Sequence, residues 1–168
     1  MGDTVDEIVC PVCNKPMKKI YLEDRQFNVD ICDDGCGGIF LDNREFKKID
    51  EKKEDITPIV EAVKNKKFQK ADAAKQIVCP SCGHVMIKNH SSHLKTVEIN
   101  ECYNCGGKFF NYDDLIKIRN EFETEEERIE AFNKYSYSVI ADADSEFSRR
   151  KTFGTMLNDI VKNYKEFN

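Results

Sequence analysis

The chain has 168 residues, room for one ordinary domain or two very small ones. It is 34% charged with a formal net charge of −5, which argues against the strongly basic face of a nucleic-acid binder. Leu, Ile, Val and Phe make up a quarter of the residues, too many for a wholly disordered chain. No apolar run approaches the ~18 residues a membrane span needs. The acidic start, Met-Gly-Asp-Thr-Val-Asp-Glu, lacks the basic and apolar regions of a signal peptide, so a cytoplasmic location is expected.

Residues 1–7 read as a flexible N-terminus. Residues 8–50 follow with the pairs Cys10/Cys13 and Cys32/Cys36. Between them, Met17 to Leu22 can form one strand, Glu23-Asp24-Arg25 a tip, and Phe27, Val29 and Ile31 an alternating return strand. These apolar residues are expected to make a small core beside the cysteines. Asp42 can then cap a helix, with Glu45 three residues later as a capping box and Phe46 and Ile49 at helical spacing.

Residues 51–76 are Lys-rich and read as a polar helical linker, with Thr57-Pro58 as its cap and first turn. Residues 77–120 bring Cys79/Cys82 and Cys102/Cys105. Val85 to Lys88 goes out, Asn89 to His93 forms the tip, and Val97 and Ile99 return. Asn111 and Asp114 offer the capping geometry again. Residues 121–168 read as a helical tail: Thr124 and Glu127 form a capping box, and 141–145 looks like a break. Phe153, Met156, Leu157, Ile160, Val161, Tyr164 and Phe167 then pattern an amphipathic final helix.

The eight cysteines carry the chemistry. Each half places two close pairs 18 or 19 residues apart, the spacing of a four-cysteine zinc site. Two thiolates two or three residues apart can curl around one face of a metal ion. The second pair, returned by a hairpin, closes the tetrahedron. The metal ligands read from this are Cys10, Cys13, Cys32 and Cys36, then Cys79, Cys82, Cys102 and Cys105, for two zinc ions. Iron takes the same ligands and stays open. Disulfides and redox pairs explain the doubled spacing less well.

Adding 69 to a residue number carries much of the first half onto the second. Cys10-Pro-Val-Cys13 becomes Cys79-Pro-Ser-Cys82, Met17 becomes Met86, and Cys36-Gly37-Gly38 becomes Cys105-Gly106-Gly107. Phe40 becomes Phe109, Phe46 becomes Leu115, and Ile49 becomes Ile118. Each unit resembles the transcription-factor-type (TFIIB-like) zinc ribbon of small bacterial proteins. That family reads Cys-Pro-x-Cys, a hairpin, then Cys-x2-Cys-Gly-Gly followed by an aromatic residue and Asp-x-x-Glu. Phe40 and Phe109 stand where the family usually has Trp, and Gly35 accompanies a knuckle one residue longer.

The resemblance, over about 8–50 and 77–120, implies a small zinc-stabilised α+β fold of two rubredoxin-knuckle zinc ribbons, each followed by a helix; the residues outside it add the helical linker and the helical C-terminal region. It implies docking on protein as much as contact with nucleic acid. Closing two four-thiolate zinc sites would move the charge to about −9, which favours protein contact. The expected function is therefore a non-enzymatic zinc protein that mediates protein–protein interaction, with self-association or partner docking through 121–168. A nucleic-acid-binding regulator is the alternative. Four thiolates leave no open metal position for catalysis. Asp42, Glu45, Asn111 and Asp114 read as caps, and His84, His90 and His93 as surface polar residues with at most adventitious metal binding.

Overall fold

The computed structural model describes residues 7–68, 76–92 and 94–143. The N-terminus before residue 7, His93 and the final amphipathic helix lie outside them. The chain divides into two units, Met1–Glu123 and Thr124–Asn168. Among the described residues no helix is long and apolar enough to cross a membrane.

Strand β1, Lys18–Leu22, and strand β2, Phe27–Ile31, form an antiparallel hairpin with Lys18 opposite Ile31 and Leu22 opposite Phe27. Strand β3, Gly38–Leu41, pairs with β2. The second half repeats this with β4, Ile87–His90, β5, Glu98–Glu101, and β6, Lys108–Asn111. The tip of its hairpin starts at Ser91, because Asn89 and His90 still pair with Ile99 and Glu98. Each repeat thus has three strands where the sequence suggested a two-stranded hairpin.

The third strands join the repeats. β3 pairs antiparallel with β6, giving one six-stranded sheet of order β1-β2-β3-β6-β5-β4. Phe40 lies directly opposite Phe109, its own counterpart in the repeat. A pseudo-twofold axis therefore passes through this pair. Lys108 stands where the first repeat has Ile39, and its charge is met by Glu101 on the adjacent strand.

Alternation along the strands separates two clusters. Ile39, Leu41 and Phe110 face one side, where they join Leu22, Phe27, Val29, Ile31, Val97 and Ile99 in the main core. Phe46 meets Phe110 edge to face at 5.7 Å. Phe40 and Phe109 face the other side, with the cysteines, Ile8, Met17, Ile77 and Met86. Met17 lies beside the cysteines as expected, but Leu22, Phe27, Val29 and Ile31 build the core across the sheet from them. The reason is parity: Val29 and Ile31 share a face with Ile39, one residue out of step with Phe40.

Helices close the main core. After β3 comes one 3-10 turn, Phe46–Lys48, instead of an α-helix, and it still buries Phe46. The reach-back bond of the expected capping box is present: the Asp42 N–H donates to the Glu45 carboxylate at 2.9 Å. Helix α1, Thr57–Val63, has Pro58 in its first turn as expected, but Thr57 lies inside the helix and the N-cap is Ile56, while the Asp55 carboxylate accepts the Thr57 N–H at 2.8 Å. The linker stretch is not merely a spacer, since Ile56, Ile59 and Val63 are buried in the core.

Helix α2, Tyr112–Arg119, follows β6 and buries Leu115 and Ile118. The Asn111 side chain does not cap it; its amide donates to Asp114 at 3.3 Å instead. In the second unit, helix α3 covers 125–143 and runs through the first part of the expected break. Its start is capped as expected, with the Glu127 N–H donating to Thr124 Oγ at 3.2 Å.

Candidate metal centres

Each cysteine set is built from two knuckles. In the first, the Cys10 N–H donates to the Lys15 carbonyl at 2.8 Å, and the Asn14 N–H returns to Cys10 at 2.9 Å. Cys79 and Gly83 repeat this with His84 at 2.8 and 2.9 Å. Asn14 and Gly83 both take positive φ to close the turn. The second knuckles also match: Cys32 N–H donates to Gly38, and Cys102 N–H to Gly107, both at 2.8 Å.

The knuckles gather four sulfurs in each half, all within 4.8 Å of one another. Cys10 and Cys36 are 3.4 Å apart, and Cys13 and Cys32 3.3 Å. Cys79 and Cys105 are 3.5 Å apart, and Cys82 and Cys102 3.4 Å. A metal–sulfur distance of about 2.3 Å gives a tetrahedron with edges of about 3.8 Å, so both sets fit one ion. The longer knuckle does not distort the first set, because the chain absorbs Gly35 without moving the sulfurs apart. No disulfide links any of the eight.

Backbone N–H groups aim at the sulfurs. Those of Val12 and Cys13 point at Cys10, and those of Ser81 and Cys82 at Cys79. A thiolate bound to metal keeps such bonds, and a neutral thiol profits less from them. Burial acts the other way. Contact with the Cys36 thiol and then burial hold Cys10 protonated, and burial pushes Cys32 up to about 12. Burial also raises Cys79 and Cys105.

The second cysteine of each Cys-Pro-x-Cys is the exception. Burial opposes ionisation of Cys13, but the Lys15 N–H and the Cys32 and Cys10 thiols outweigh it and bring it to about 7. The His84 N–H leads the groups that bring Cys82 down to about 6. Metal entry must therefore displace the protons that Cys10, Cys32, Cys79 and Cys105 hold.

His84 and His90 stay outside both sets. His84 is exposed, with Nδ1 3.1 Å from the Cys82 carbonyl, and contact with the Cys82 thiol raises its pKa. His90 is exposed at the end of β4. Asp42 and Glu45 lie in the turn after β3, Asn111 ends β6 and Asp114 sits in the first turn of α2, all as local hydrogen-bonding groups.

One important residue escaped the sequence reading. Arg119 is only 9% exposed, yet it sits at the end of α2. Its guanidinium donates to the carbonyls of Ile49 at 2.6 Å, Glu54 at 2.6 Å and Lys52 at 3.2 Å. Burial lowers its pKa, and the charges of Glu54, Asp50 and Asp55 work against that. It ties the second repeat to the segment that leaves the first.

The sequence profile described as "Transcription factor zinc-finger" matches residues 9–52 and again 78–121, just over half of the chain. The chain belongs to this zinc-ribbon family. Both matches span a complete four-cysteine set and the turn or helix after it. No curated protein and no solved structure matches the chain.

Proposed function

We propose that this double zinc ribbon is a non-enzymatic protein that holds two structural zinc ions and works by contacting other proteins. The observation that carries the zinc reading is the pair of closed four-sulfur sets, each of a size for one tetrahedral ion. All four positions of each ion would be taken by thiolate, so no site is left for a substrate or an activated water. The cytoplasm suits such thiolates, which oxidising compartments turn into disulfides.

The contact role is supported by α3. Ile129, Phe132, Val139 and Ile140 are each roughly half exposed, and Tyr137 more so. A large exposed apolar row is a usual mark of an interaction site. The negative charge, deepened by two zinc–thiolate centres, favours protein over nucleic acid as the partner.

Native mass spectrometry is expected to find two zinc ions per chain. A strong chelator is expected to unfold the unit Met1–Glu123, since structural zinc of this kind supplies about 10–16 kcal/mol of apparent binding energy. A metal-free protein that keeps its fold would overturn the zinc reading, and visible-light absorption would assign iron instead. Removal of residues 121–168 is expected to abolish partner binding or self-association while two zinc ions remain. DNA or RNA binding that weakens steeply with salt would favour the regulator.

A further inference from the structure

We propose that each metal site is closed by an aromatic ring from the other repeat, so that each repeat guards the other's site. The proposal rests on the zinc reading above. Its basis is the crossing of Phe40 and Phe109 at the pseudo-twofold axis. A Cβ placed on Gly38 would run into the tip of the Phe109 ring and lie 3.3 Å from the Cys36 sulfur. A Cβ placed on Gly107 would lie 2.7 Å from Cζ of Phe40 and 3.4 Å from the Cys105 sulfur. The ring of each repeat therefore covers the glycine beside the other repeat's last ligand. The arrangement is reciprocal, and it gives the second glycine of each Gly-Gly pair its reason.

The rings are nearly sealed, at 1% exposure for Phe40 and 2% for Phe109. Cys10, Cys32, Cys36, Cys79 and Cys102 share one apolar cluster with them. A ring over a metal-bound thiolate keeps out water and competing ligands, and loss of zinc begins with protonation or attack at such a sulfur. Removing the Phe109 ring opens a path to Cys36, in the first site, although Phe109 belongs to the second repeat.

The test uses the full chain loaded with zinc. A chelator is added with a thiol-alkylating reagent, and labelled cysteines are mapped by peptide mass spectrometry. In Phe109→Leu the set Cys10, Cys13, Cys32 and Cys36 is expected to label about tenfold faster than in the wild type, with a smaller change in the other set. Phe40→Leu is expected to show the reverse. Both variants keep all eight ligands and an apolar side chain. Phe109→Ala and Phe40→Ala, with wider gaps, should give the same cross pattern more strongly.

Equal acceleration of both sets overturns the proposal, as does preferential labelling of the mutated repeat or no change. Wild-type protein that labels at all eight positions without chelator would instead defeat the zinc reading itself, so the two failures are distinguishable.

Discussion

Gly35 occupies the one knuckle that is a residue longer than its counterpart. A Cβ there would lie 2.6 Å from the Cys32 sulfur and 2.7 Å from that of Cys13. Neither sulfur can retreat while both hold the same ion. Gly35→Ala is therefore expected to open the first site and weaken its zinc affinity by about tenfold or more, the effect of 1–3 kcal/mol of overpacking. The second site should keep its affinity. Competition with a chelator of known strength resolves the two, and an unchanged first site would reject the steric argument. The cysteines themselves were legible in the sequence, because ligand spacing within a knuckle is a local property. The need for Gly35 was not, because it depends on where Cys13 folds back.

Among the elements, the cysteine hairpins were readable from alternation, and the joining strands were not. β3 and β6 carry apolar residues at consecutive positions, Ile39–Leu41 and Phe109–Phe110, because both faces are buried, so they show no period-two signal, and they pair with each other across repeats. Helix α2 was readable, but what docks it was not. The three carbonyls that bind Arg119 lie 65 to 70 residues away in sequence. Arg119→Ala would take the donor from these carbonyls, two of them, Ile49 and Glu54, in buried contacts. A loss on the order of 3 kcal/mol is expected in denaturant unfolding of the zinc-loaded protein. Arg119→Lys should recover only part, because an ammonium cannot match the planar fork. The zinc content should stay at two. An unchanged midpoint in Arg119→Ala would show that the guanidinium holds nothing together.

At the scale of the whole molecule, sequence repetition suggested two small ribbons joined by a linker. It left open whether the ribbons pack together, and in the unit Met1–Glu123 they share one sheet and one main core. A single ribbon is too small to bury much apolar surface, and below about 40 residues folding usually needs metals or association. Here the repeats supply that association to each other: Phe40 and Phe109 meet on the metal side, and Ile39, Leu41 and Phe110 on the core side. Arg119 adds a polar tie. A single backbone cut within 69–76 should therefore leave the halves bound together. With a protease site introduced there, the cleaved, zinc-loaded protein is expected to elute in gel filtration as one species of unchanged size with two zinc ions. The halves should part only when denaturant or chelator dismantles the sheet. Clean separation in native buffer, with each half keeping its zinc, would mean that the β3–β6 pairing contributes little and that the ribbons are independent modules.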